Sequence, residues 1–121
     1  MIVSFGDKAT ADLYHGRRTH RVRRFSHDMQ RAALRKLDVL NAAQRLIDLR
    51  SPPGNRLETR SGDLAGYYSI RVNDQWRIIF RWENSDSLDV LLTDYHRIKV
   101  AVDRLRHRQG TGDCRHMAGA T

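Results

Sequence analysis

Cysteine is almost absent: Cys114 stands alone among 121 residues. No internal disulfide is possible, and the expected setting is a reducing, cytoplasmic one. No apolar run approaches the roughly 18 residues that a membrane-spanning helix requires. Acidic Asp7 interrupts the opening stretch where an export signal would continue its apolar core, so none is expected. Phosphate-binding glycine loops, dinucleotide-binding glycine patterns and Cys/His clusters at metal spacing are missing. His15 and His20 lie five apart and read as surface residues in preference to a metal site. Lysine is scarce too, with Lys8, Lys36 and Lys99 the only three.

Arginine is abundant: 19 residues, which bring Lys+Arg to 22 against 14 Asp+Glu, a formal charge of +8. Such an excess suits a polyanionic partner, because the guanidinium fork matches phosphate in two-point geometry. The competing reading is a solvated surface. The excess is uneven, +6 over residues 1–50 and +2 over residues 51–121. Five arginines, Arg17, Arg18, Arg21, Arg23 and Arg24, fall within eight residues and predict an exposed loop.

The hydrophobic period predicts the elements. Ile2–Phe5 reads as a short strand and Asp7–His15 as a short helix stopped by Gly16. Ser26 or Asp28 is expected to cap a longer helix whose buried stripe is Ala33, Leu37 and Leu40. Ala43, Leu46, Ile47 and Leu49 continue it, or form a separate turn, until Pro52-Pro53-Gly54. The period then drops to two. Tyr68, Ile70 and Val72 alternate with polar neighbours, as do Trp76, Ile78, Phe80 and Trp82, and then Leu88, Val90 and Leu92. Three strands with short turns predict an antiparallel meander, and helices before strands predict an α+β fold. A last helix is expected over Ile98–Arg108. The predicted organisation is one domain over residues 1–108 with a disordered tail over 109–121.

Function is harder to read from composition. Arg71, Arg77 and Arg81 alternate with the apolar strand residues and are expected to share one concave cationic face. Each is either a solvated outward residue or a phosphate ligand. Asp94-Tyr95-His96 closes the last strand with three adjacent proton-exchanging or hydrogen-bonding groups. Glu58, just past the proline turn, is either a general base or a surface carboxylate.

The run Gly62-Asp63-Leu64-Ala65-Gly66-Tyr67-Tyr68-Ser69-Ile70-Arg71-Val72-Asn73-Asp74-Gln75-Trp76-Arg77, with Asp94-Tyr95-His96 downstream, resembles the HigB group of toxins within the RelE superfamily. Leu49 through Glu58 fits the same pattern, and the resemblance covers residues 1–98. It implies a RelE-like fold, with N-terminal helices packed on a curved antiparallel sheet. It implies an endoribonuclease (an mRNA interferase) with no metal and no cofactor, which cuts messenger RNA in the ribosomal A site and arrests growth. The implied partners are the ribosome, mRNA and a helix-turn-helix antitoxin, which binds operator DNA with the toxin as co-repressor. By this resemblance Arg77 stabilises charge on the phosphate, His96 is the acid, and Asp94 and Tyr95 complete the site. Glu58 or Asp94 is the base, or Asp94 orients His96. With RNA as the implied substrate, Arg71 and Arg81 of the expected cationic face and Arg17, Arg18, Arg21, Arg23 and Arg24 of the expected loop are expected to bind RNA. Well-studied members carry a histidine followed by proline at the position of Glu58 and a lysine at that of Ser61; this chain has neither. The alternative is a non-catalytic RNA- or ribosome-binding protein that acts by occupancy.

Overall fold

The first helix begins where a carboxylate is placed to receive its free N–H groups. Asp7 accepts from Thr10 N at 2.8 Å and starts α1 (Lys8–Tyr14). The computed structural model describes residues 1–51 and 53–111. The chain leaves α1 through Gly16 at φ +73°, a left-handed conformation that costs glycine little.

The arginine-rich stretch departs from the loop expected of it. His20–Arg23 forms a helical turn, α2, with Val22 buried. Asp12, 7% exposed, is the reason. It accepts from Thr19 Oγ1 at 3.0 Å and lies 3.3 Å from Arg17 and 3.6 Å from Arg21. Burial alone would raise this carboxyl, but the Thr19 and Arg17 hydrogen bonds and the two arginine charges outweigh it and lower its pKa. The block thus folds around one buried anion.

Ser26 caps α3 (His27–Ala42), its Oγ accepting from Met29 N at 3.1 Å. The predicted stripe Ala33, Leu37 and Leu40 is buried, joined by Met29. A separate 3₁₀ turn follows at Leu46–Arg50, with Leu49 inside and Ile47 outside. Buried Asn55 then holds the proline turn to it, donating to Leu49 O and Ser51 O and accepting from Lys36.

The strands form one antiparallel sheet in chain order: β1 (Glu58–Thr59), β2 (Tyr68–Arg71), β3 (Trp76–Glu83) and β4 (Asp86–Asp94). β1, only two residues long, was not anticipated. One face packs Ile70, Ile78, Phe80, Val90 and Leu92 against Leu13, Val22, Leu37 and Leu40 of the helical layer. Each fully buried side chain of this size contributes roughly 1.5–3 kcal/mol.

The opposite face is not open along its length. Helix α4 (Ile98–Thr111) covers Tyr67, Ile79 and Leu91 with Ile98, Val102 and Leu105. It runs past the predicted stop at Arg108, and the predicted tail from residue 112 onward lies outside the described residues. Among the described residues no helix is long and apolar enough to cross a membrane.

β4 carries a bulge. Asp89 and Val90 together oppose Phe80, and Asp89 is left-handed at φ +53°. Its N–H donates to Ser4 Oγ at 2.8 Å and its carboxylate accepts from Arg81 Nε at 2.9 Å. The N-terminal segment lies alongside, with parallel bridges Ile2↔Ser87 and Phe5↔Val90 instead of a full strand. Gly6 permits this approach: a Cβ there would lie 3.1 Å from Asp89 O and from Leu91 Cβ, and 2.9 Å from Leu105 Cδ2. Gly6→Ala is therefore expected to destabilise the fold by about 1–3 kcal/mol, read by denaturant unfolding. An unchanged midpoint would show that the segment does not pack there.

Candidate active site

The end of the sheet left uncovered by α4 is shaped by the β2–β3 turn. Asn73 organises it, its Oδ1 accepting from Gln75 N and Trp76 N, each at 2.9 Å. Arg77 folds back on this turn, and its Nη1 donates to Asn73 O at 2.6 Å and Trp76 O at 3.1 Å. Arg71 lies directly opposite Arg77 in register, so both side chains leave the same face. Two cations at opposed positions repel each other. Asp74 offsets this in part by pairing with Arg71. Burial, followed by the Arg71 charge, lowers the pKa of Arg77, while Glu58 and Tyr95 raise it and Arg60 lowers it further.

The end of β4 supplies the next groups. The Arg77 guanidinium sits 4.6 Å from the centre of the Tyr95 ring, a cation–π contact. Tyr95 is 44% exposed, and its N–H donates to Gln75 O at 2.7 Å. The His96 ring meets that of Tyr95 edge-on at 5.4 Å and is exposed.

Asp94 faces the other way. It is the register partner of Trp76, which packs on the helical core, and it lines a cleft with Trp76, Phe25 and Arg24. Its oxygens accept from Gln75 Nε2 at 2.9 Å and from His96 N at 2.8 Å. The Gln75 hydrogen bond, then that of the His96 N–H, holds its carboxyl below the ordinary range. Asp94 caps the 3₁₀ turn Tyr95–Arg97 that presents Tyr95 and His96.

Glu58 reaches the same face as Arg77 through β1, where it pairs with Ser69. It is exposed, lies 3.2 Å from Arg60 and is among the charges acting on Arg77. Arg60 was not singled out in the sequence because a two-residue strand shows no period. Asn73 and Gln75 hold the two turns; in the sequence Asn73 reads only as a turn former and Gln75 only as part of the family motif.

The fold thus gathers Glu58, Arg71, Arg77 and Tyr95 on one face, with His96 adjoining and Asp94 behind. Arg81 is set apart. It lies 2.9 Å from Asp89, itself 1% exposed, and 3.7 Å from Glu83, so the expected continuous arginine face is broken. Arg17, Arg18, Arg21, Arg23 and Arg24 stand on the helical layer, across the sheet from Arg77. Among the described residues no three His, Cys, Asp or Glu side chains converge as metal ligands would.

Guanidiniums beside a carboxylate and an exposed imidazole suit a phosphate-containing ligand, and the frame that holds them is a small α+β domain with helices on a curved antiparallel sheet. Residues 3–96 match the family described as HigB-like toxin, a RelE-like toxin of the type II toxin–antitoxin system HigB, and the chain belongs to that family. It is similar to Toxin HigB-1 of Vibrio cholerae, 42% identical over 97 residues that span 80% of this chain and 99% of the relative. It is also similar to Endoribonuclease HigB of Proteus vulgaris, 33% identical over 66 residues, 50% of this chain and 72% of that protein. An uncharacterized protein of Haemophilus influenzae is 42% identical over 59 residues, 49% of this chain and 58% of the relative. Membership implies an antitoxin partner. Helix α4 begins after the matched segment ends.

Because the carboxyl of Asp94 is lowered in the folded chain, its contribution to stability is present above the ordinary aspartate value, about 3.9, and lost as pH falls through the lowered one. Asp94→Asn is expected to melt below the wild type at pH 7, with the gap closing below about pH 4. Thermal scans across that range check this, and a gap independent of pH would contradict it.

Proposed function

We propose that this chain is an RNA-cleaving toxin whose working face is the uncovered end of the sheet. The observation that carries the reading is the opposed pair Arg71 and Arg77, a concentration of positive charge with Glu58 acting on Arg77 and with the Arg77 guanidinium against the Tyr95 ring, which His96 adjoins. The name of the Proteus vulgaris relative, Endoribonuclease HigB, supports the same reading.

RNA carries its own nucleophile, the 2′-hydroxyl. Glu58 takes its proton, and the freed 2′-oxygen attacks the adjacent phosphorus. Arg77 neutralises charge on the pentacovalent phosphorus, the step where fixed donors count most. The bond to the 5′-oxygen breaks as His96 gives that oxygen a proton, leaving a 2′,3′-cyclic phosphate and a 5′-hydroxyl. Tyr95 positions Arg77 through its ring, and Asp94 positions the turn that carries His96. No metal takes part in these steps.

The setting we infer is the cytoplasm, with mRNA on the ribosome as substrate and Arg17, Arg18, Arg21, Arg23 and Arg24 docking on ribosomal RNA from the helical layer. A helix-turn-helix antitoxin neutralises the toxin and, with it, represses their operon at the operator.

The test is expression of the chain alone, with growth and new mRNA 5′ ends as readouts. Glu58→Ala, Arg77→Ala and His96→Ala are each expected to lower cleavage about 10²-fold or more. Undiminished growth arrest in all three would contradict the assignment, and arrest without new 5′ ends would favour action by occupancy.

A further inference from the structure

We propose that Arg60 is a second phosphate-binding cation of this site, acting beside Arg77 on the scissile phosphate. The inference rests on the RNA-cleaving reading above and adds a residue to it.

Arg60 differs from the solvated arginines of this chain. Its side chain is only 18% exposed, against 60% for Arg17 and 66% for Arg31. Its backbone N–H donates to Tyr67 O at 2.9 Å, across the loop between β1 and β2. Its Nη2 donates to Ser69 Oγ at 2.9 Å and lies 3.2 Å from Glu58 Oε1. The guanidinium is therefore held in place before any ligand arrives. Its Nε is buried and has no acceptor, an arrangement that costs free energy until something accepts that bond.

The charge balance points the same way. Arg60 and Arg71 both act on Arg77 as like charges, so three guanidiniums bear on one end of the sheet. Asp74 holds Arg71, which leaves Arg60 and Arg77 sharing Glu58. A phosphodiester carries one negative charge and the pentacovalent phosphorus two, so two cations fit the transition state better than one.

The pairing of Arg60 with Glu58 also suits the order of events. In the resting site the Glu58 carboxylate offsets the Arg60 charge. When Glu58 accepts the 2′-hydroxyl proton it becomes neutral, and the electron pair left on the 2′-oxygen forms the new bond to phosphorus. Negative charge thereby moves from the carboxylate to the phosphoryl oxygens, and Arg60 follows it without travelling. His96 later protonates the 5′-oxygen as its bond to phosphorus breaks. Arg60 exchanges no proton.

The experiment is single-turnover cleavage of ribosome-bound mRNA by the purified full chain, comparing the wild type with Arg60→Gln, Arg60→Lys and His96→Ala. Arg60→Gln is expected to lower the cleavage rate constant about 10²-fold while the half-saturating concentration changes little. Arg60→Lys keeps the charge without the fork and should recover part of the loss. Replacing a non-bridging oxygen of the scissile phosphate by sulfur should slow the wild type and leave Arg60→Gln little affected, a signature that a structural role would not produce. Wild-type rates for Arg60→Gln with an inactive His96→Ala would overturn the proposal. Wild-type rates for both would overturn the placing of the active site on this face, and no cleavage by the wild-type chain would overturn the RNA-cleaving reading itself. If Arg60→Gln does not fold, Arg60→Lys decides: a full wild-type rate would overturn the proposal.

Discussion

The register of β3 against β4 is the constraint on which the rest of the molecule depends. With Trp76 opposite Asp94 and Arg77 opposite Thr93, every second residue of β3 enters the helical core and the others leave the far face. A slip of one residue would exchange those faces, burying Arg77 and exposing Ile78 and Phe80. The apolar contacts of Ile78, Phe80, Val90 and Leu92 make that slip costly. The position of Arg77 beneath Tyr95 therefore follows from core packing at the other side of the same strands. Asp94 is part of this arrangement, since its side chain on the core side caps the turn that sends Tyr95 and His96 to the rim.

The charge of the chain is divided by the same sheet. The arginines of the first 50 residues sit on the helical layer, where Arg17 and Arg21 gather around Asp12. Those on the far face fall into two groups separated by α4. Arg81 is locked to Asp89 on one side, and Arg60, Arg71 and Arg77 gather on the other. α4 lies beyond the segment matched by the family, and it covers Ile79 and Leu91, which would otherwise leave an apolar strip beside the site. It also braces the loop before β2, where Arg106 lies 5.7 Å from the Tyr67 ring centre and donates to Ala65 O at 3.4 Å.

Much of the frame was legible in the sequence because it rests on repeated local signals. The stripe Ala33, Leu37 and Leu40, the Ser26 cap and the three alternating strands are periodic or punctuated, and they appear where expected. The features that escaped are those set by single residues in three dimensions. The β4 bulge puts Asp89 out of the alternation and beneath Arg81, so that arginine looked free. One buried Asp12 turns an arginine run into helix α2. β1 is too short to show a period, so Arg60 and its tie to Glu58 stayed hidden. Glu58, Arg77, Tyr95 and His96 were named by resemblance to a family. Periodicity alone left each of them a choice between surface and site.

The central claim is that the uncovered sheet end cleaves RNA through the substrate's own 2′-hydroxyl. The most direct measurement is the chemistry of the ends it produces, read by mass spectrometry of RNA fragments from the purified chain acting on programmed ribosomes. The account predicts 2′,3′-cyclic phosphate and 5′-hydroxyl ends, and no cut where the nucleotide 5′ to the scissile phosphate lacks its 2′-hydroxyl. Ends bearing 5′-phosphate and 3′-hydroxyl would mean that water is the nucleophile, and would contradict it.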